Sequence, residues 1–119
     1  MKKIIIVFII LSLSLVLTIH LLLKNQESTE NTENISIVQS VWYKLDESER
    51  NEVVGSWKDG LIEEVVIESG EGRFHISPEY YGKVVYLITF ESAQRDLIGD
   101  VQRLVDRESK EIIGFNFRD

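Results

Sequence analysis

Residues 84–90 read VVYLITF, and this stretch decides the fold of the C-terminal part of the chain. Its side chains are β-branched, aromatic or large and apolar, which is typical of a β-strand. Gly82 lies before it and a polar loop at 91–96 follows it, so turn-forming or polar residues mark both ends. We therefore expect this segment to be the strongest strand of the chain.

Three further strands are predicted from the same enrichment in β-branched and aromatic residues, at 61–68, 101–106 and 112–117. A shorter run at 73–76 follows a glycine-containing turn, and we interpret this run and 84–90 as a hairpin. Because the connections between consecutive strands are short, we expect an antiparallel meander. Without the short run at 73–76, the sequence thus predicts a four-stranded antiparallel sheet.

Two short helices are predicted ahead of the sheet. Apolar residues recur at the spacing of one helix face, at Ile35, Val38, Val41, Trp42 and Leu45. Asp46 followed by Glu49 is a capping-box pattern, which predicts a second helix running through Val54 with Gly55 as its left-handed terminal residue. Helices followed by strands indicate an α+β fold in which both helices pack on one face of the sheet.

The strands within 83–117 resemble those of a known group of domains. A tyrosine-containing strand precedes the turn and last strand VDRESKEIIG at 105–114. The matching residues are Tyr86, Val105, Asp106, Ser109, Ile112, Ile113 and Gly114. This pattern, about 35 of the 119 residues, resembles the small exported PepSY-like domains of Gram-positive bacteria, and a cystatin-like helix-on-sheet arrangement is an equal candidate. Either resemblance implies a domain that inhibits or binds extracytoplasmic proteins.

The N-terminal segment is apolar enough to span a membrane. Residues 4–23, which include Ile4, Phe8, Leu15 and Leu23, contain sixteen Ile, Leu, Val or Phe side chains in twenty positions. As a helix, twenty residues span about 30 Å, the thickness of a bilayer's hydrocarbon core. The alternative is a cleaved signal peptide, but the run is longer than a typical signal core and lacks a small-x-small cleavage pattern. We expect a retained signal-anchor helix at 1–24.

The flanking charges predict the orientation of this span. Lys2 and Lys3 precede it, and only Lys24 follows it closely, so the positive-inside rule places the C-terminal part outside the cell membrane. Residues 25–34 read NQESTENTEN and have no apolar side chain, which predicts a disordered polar linker. The expected organisation is a single-pass membrane protein whose extracytoplasmic α+β domain occupies 35–119.

Charge and composition exclude several classes of function. From residue 25 onward the chain has ten basic and twenty acidic residues, and such a surface repels the phosphates of nucleic acids. The chain has no cysteine, which excludes a disulfide framework, a thiolate metal site and a thiol nucleophile. The acidic clusters lack the ligand spacing of a calcium loop.

We therefore predict no catalytic, metal-binding or cofactor-binding residues and no enzymatic activity. The preferred hypothesis is a membrane-anchored module that binds a protein partner at the outer membrane face, in the manner of an inhibitor or an immunity protein. The alternative is a small-ligand sensor or small hydrolase with a pocket near His75, Tyr80 and Tyr81, since His75 is the one histidine of the predicted domain.

Overall fold

A computed structural model of the chain describes residues 2–69 and 72–118, with side chains at 25–27 left out. The chain divides into two compact units, Met1–Glu33 and Asn34–Asp119. Within the described ranges, one helix, α1 (Lys2–Lys44), is long and apolar enough to cross a membrane, judged by length and composition. Its N-terminal side chains, such as Ile4, Phe8, Leu15 and Leu23, are between 58% and 68% exposed, so they are available to lipid.

The segment at 25–34 lies within α1. Its side chains at 28–33 are exposed, and the Thr32 hydroxyl donates to the Ser28 carbonyl, one helical turn earlier, at 2.8 Å. The predicted division into an anchor, a disordered linker and an extracytoplasmic domain stays a prediction.

The prediction of two separate short helices is only partly right. The first is the C-terminal end of α1, while the second is α2 (Glu47–Glu52). Asp46 caps α2 by accepting a hydrogen bond from the Glu49 N–H at 3.0 Å, but α2 ends before Gly55, which has a φ of +89°. A third short helix, α3 (Arg95–Ile98), lies at the end of the predicted polar loop. The described residues also contain two 3₁₀ turns, Trp57–Asp59 and Pro78–Tyr80.

The sheet is antiparallel, as predicted, but it has five strands and not four. They are β1 (Leu61–Val66), β2 (Phe74–Ile76), β3 (Val84–Phe90), β4 (Val101–Val105) and β5 (Ile112–Asn116). Their spatial order is β1-β3-β4-β5-β2. Only β3, β4 and β5 form the expected meander.

The predicted hairpin between 73–76 and 84–90 is wrong, because β2 pairs with β5 at the far edge of the sheet. Both sides of β3 are taken by β1 and β4, so β2 has no place beside it. The Pro78–Tyr80 turn and Gly82, whose N–H donates to the Ile67 carbonyl at 2.9 Å, carry the chain back from β2 to β3.

The sheet packs on both faces. One face contacts the C-terminal end of α1 through a buried cluster, with Trp42 and Trp57 packed at its margin; the Trp42 and Phe90 rings meet edge to face at 5.3 Å. The members of this cluster are Ile37, Val38, Val41, Leu45, Ile88, Phe90, Val101 and Val105. The opposite face buries Val85, Leu87 and Leu104 beneath partly exposed side chains. The α+β fold is therefore confirmed.

A polar network joins the C-terminal residues of the chain to α2. Glu52 accepts hydrogen bonds from the Ser92 hydroxyl at 2.9 Å and from the Arg118 guanidinium. Arg118 also donates to the Gly99 carbonyl at 3.2 Å. The side chains of Arg118 and Glu52 are only 14% and 16% exposed, so this ion pair is largely removed from solvent.

Candidate interaction surface

His75 lies on the edge strand β2, and its ring is exposed at the sheet surface. It is the cross-strand partner of Phe115 on β5, and the two rings stack with centroids 5.1 Å apart and planes at 25°. Phe117 meets the same histidine ring edge to face at 6.0 Å. We call His75, Phe115 and Phe117 the aromatic patch.

The alternation of a β-strand explains why these rings lie together. Phe115 and Phe117 are two residues apart, so they project from the same side of the chain. Phe115 is 44% exposed and Phe117 is 49% exposed, although both have large apolar side chains. Exposed aromatic side chains that form a continuous surface are typical of protein-binding sites.

An ion pair lies beside the patch and attaches α2 to the sheet. Arg103 is the cross-strand partner of Phe115 on β4, and its guanidinium donates to both carboxylate oxygens of Glu49 at 2.6 Å. Their side chains are 16% and 17% exposed, so solvent screens the pair only in part. The backbone that carries the patch is held by this contact and by the Phe117 N–H, which donates to the Arg73 carbonyl at 3.0 Å.

The two tyrosines of the sequence hypothesis lie in a different environment from His75. Tyr80 is half-buried in the 3₁₀ turn, with the Lys83 ammonium 5.7 Å from its ring centre. Desolvation raises the pKa of the Tyr80 hydroxyl, and the nearby carboxylates of Glu79, Asp106 and Glu111 add to this effect. Within the described residues, neither a hydrogen bond nor a ring contact joins His75 to Tyr80 or Tyr81. The functional role predicted for each of the three stays a prediction.

A separate cleft of about 300 Å³ lies where the chain leaves β1 and enters β2. The Arg73 guanidinium lies over the Phe74 ring at 5.7 Å, which places a cation at its wall. The lining residues are Val66, Ile67, Glu68, Ser69, Arg73 and Phe74. None of the three residues predicted to form a pocket lines this cleft.

Serine chemistry is not favoured by the geometry. The one buried polar residue of the described core is Ser92, and its hydroxyl donates to Glu52 and accepts from the Gln94 N–H at 3.0 Å. A nucleophilic serine needs a base that takes its proton, whereas this carboxylate is already paired with Arg118. Over residues 2–69 and 72–118, no group of three His, Asp or Glu side chains could hold a metal ion.

Sequence reasoning named His75 as a candidate residue but did not name Phe115 or Phe117, which contact it in the structure. The available signal was their two-residue spacing in the last predicted strand, which places two aromatic rings on one face. The sequence could not show that His75 would lie opposite Phe115, because that pairing depends on β2 crossing to the far edge of the sheet.

Comparisons with protein families, with curated proteins and with solved structures give no match to this chain. The resemblance to PepSY-like and cystatin-like domains therefore stays a prediction.

Proposed function

We propose that this chain is a membrane-anchored protein-interaction module. Its apolar N-terminal helix is retained in the cell membrane, its C-terminal domain lies on the extracytoplasmic side, and the aromatic patch binds a protein partner. The observation that carries the proposal is the exposure of Phe115 and Phe117, which are 44% and 49% accessible around an exposed histidine ring.

The membrane part of the proposal is supported by the first unit of the chain. Its helix has the length and apolar composition of a span, and Lys2 and Lys3 precede the apolar run at 4–23. Positive charges on the N-terminal side favour a cytoplasmic N-terminus. A partner would then be an exported protein or one embedded in the same membrane.

The binding part is supported by the chemistry and rigidity of the patch. A few residues, often aromatic, provide most of the binding energy in many interfaces, and truncation of one of these costs about 2 kcal/mol or more, or roughly a thirtyfold loss of affinity. The β2–β5 ladder and the ion pair between Arg103 and Glu49 hold these rings in place before binding. Such preorganisation reduces the entropy lost on association. An inhibitor or immunity protein would use such a surface to block its target.

Crosslinking in intact cells tests the binding proposal. The double variant Phe115→Ala, Phe117→Ala should lose the crosslinked partner while the domain stays folded, because both side chains are about half exposed. The matched control is Leu97→Ala, which removes a 79% exposed apolar side chain from α3, and this variant should keep the partner. Equal recovery of partners from all three proteins would contradict the proposal.

Protease treatment of intact cells tests the topology separately. The proposal expects added trypsin to degrade the C-terminal domain while a short N-terminal fragment stays in the membrane fraction. A domain that is protected until the cells are lysed would refute the orientation. A domain recovered in the culture medium without residues 1–24 would support the alternative of a cleaved signal peptide.

The cleft beside Arg73 supports a second candidate, a sensor for a small ligand. Its wall holds the Arg73 guanidinium, a group that binds carboxylates and phosphates, together with one acidic side chain, Glu68. Screening anionic metabolites by thermal shift, with Arg73→Ala as the control, would separate this function from protein binding. A metabolite that raises the Tm of the unmodified chain but not of Arg73→Ala would favour the sensor function. If no metabolite raises the Tm of the unmodified chain, the sensor function is excluded.

A further inference from the structure

The two edges of the sheet differ in length and in side chains. Within the described ranges, β1 has a neighbour on one side only, which is β3. It offers six residues of unpaired edge, whereas β2 at the other edge has three and is followed closely by Pro78. Short strands and proline discourage the addition of another strand. The β1 edge is therefore the better template for an incoming strand.

The side chains of β1 combine exposed apolar ends with an acidic centre. Leu61 is 68% exposed and Val66 is 46% exposed, while Glu63 and Glu64 lie between them. Glu64 approaches Arg107 at 3.4 Å, with both side chains about half exposed. Glu63 has no ion-pair partner among the residues that the structure describes. A strand laid along this edge would meet apolar groups at its ends and negative charge at its middle.

These charges argue against a second copy of the chain as the occupant. Two copies that pair antiparallel through this edge are related by a two-fold axis, so directly opposite residues must face the same side of the sheet. A pairing centred on the acidic residues therefore places Glu63 opposite Glu63 or Glu64 opposite Glu64 of the other copy. Like charges directly opposite each other destabilise a strand pair, whereas opposite charges stabilise it. The excess of acidic residues from residue 25 onward adds a general repulsion between copies.

We infer that the β1 edge binds an extended segment of a partner protein by strand addition, and that this segment has two adjacent basic residues facing Glu63 and Glu64. Main-chain hydrogen bonds to β1 supply affinity, and the acidic pair supplies selectivity for Lys or Arg. This edge lies across the sheet from the aromatic patch. The inference is therefore independent of the surface proposed above, and either can fail alone.

Two synthetic peptides test this inference with the full chain in neutral detergent micelles. The first is an eight-residue peptide with blocked ends that alternates threonine and valine, apart from two adjacent lysines at its centre. The second has two glutamates in place of the lysines. The lysine peptide should slow the hydrogen exchange of alternate amides along β1, because one strand edge pairs with every second residue. Exchange in β2 should not change, and the glutamate peptide should give no protection.

Charge reversal provides the decisive comparison. Glu63→Lys should weaken binding of the lysine peptide about fivefold and allow binding of the glutamate peptide, because one cross-strand charge pair changes sign. Glu108→Lys, an equal charge change at an exposed turn residue, should leave both affinities unchanged. Protection that lies outside β1, or equal binding of both peptides by the unmodified chain, would overturn the inference. Absence of any protection by the lysine peptide would also overturn the inference. This result does not depend on whether a variant folds, because it is measured on the unmodified chain.

Discussion

Gly114 is the residue at which packing between β2 and β5 can be tested most directly. A Cβ added there would lie 2.8 Å from the backbone carbonyl oxygen of His75 and 3.2 Å from side-chain carbons of Ile76 and Leu104. The closest of these atoms belongs to the backbone, so rotation of a side chain cannot relieve the contact. In Gly114→Ala, β2 must therefore move away from β5.

The expected loss of stability follows from two opposing effects. Overpacking of a well-packed site costs about 1–3 kcal/mol. Part of that cost, about 0.5–1 kcal/mol, is offset because alanine loses less backbone entropy than glycine when a strand forms. The midpoints of these two ranges give a net destabilisation of about 1.3 kcal/mol, which lowers Tm by roughly 5–10 °C in a domain of this size.

Thermal unfolding of the full chain in detergent, followed by the near-ultraviolet signal of the tryptophans, measures this change. The control is Phe115→Ala, the next residue along β5, which removes a partly exposed ring and should cost less than about 1 kcal/mol. A Gly114→Ala protein that is as stable as the unmodified chain would refute the packing described for this edge. Partner binding should also fall in Gly114→Ala, because a displaced β2 moves His75 away from the two phenylalanines.

Two further predictions concern charged groups. Glu52→Gln should destabilise the domain by about 2–3 kcal/mol in urea unfolding, because Arg118 is largely buried and loses its counter-charge; Arg118→Ala together with Glu52→Gln should cost less than the sum of the two single changes. The pKa values of Asp46 and Asp106 are lowered, in each case mainly by a hydrogen bond from the backbone N–H three residues further on. A lowered folded-state pKa contributes stability above the ordinary value of 3.8, and this contribution is lost as pH falls through the folded value. Replacing both residues by asparagine should therefore flatten the decline of stability in acid.

The strands and the first layer of the core could be predicted from the sequence. The strand at 84–90 matches β3. The predicted helix face is confirmed at Val38, Val41 and Leu45, whereas Ile35 is 46% exposed and Ile37 is buried in the core cluster. These features depend on local composition and on a regular period, which a single sequence displays directly. Trp42, which the same spacing places on this helix face, is half-buried and packs against the core cluster.

The pairing of β2 could not be predicted in the same way. A three-residue strand has too short a pattern to specify its neighbour, and turn chemistry favoured the adjacent segment of the chain. Its position depends on β3 having two longer neighbours already. The fifth strand and the position of His75 follow from this competition, which involves the whole sheet.

Long-range charge pairing explains the remaining difference at α2. Asp46 caps the helix as its sequence predicts, but the Glu49 side chain does not return to the cap, because Arg103 binds both of its carboxylate oxygens. These two residues are 54 positions apart, so no local pattern indicates the contact. A hydrogen bond between a guanidinium and a carboxylate, in which both groups are charged, is stronger than the bond from a neutral backbone N–H that completes a capping box.

The two edges of the sheet resist uncontrolled pairing by different means, and this difference limits how partners can bind. The β1 edge is long but acidic, so it rejects a second copy and admits a basic strand. The β2 edge is short and followed by proline, so a partner contacts the aromatic side chains there more readily than it pairs with the backbone. Binding at β1 should therefore weaken as salt screens Glu63 and Glu64, whereas apolar contacts at Phe115 and Phe117 should respond little to salt. A partner whose affinity is unaffected by salt would be expected at the patch, and one that dissociates at moderate salt would be expected at β1.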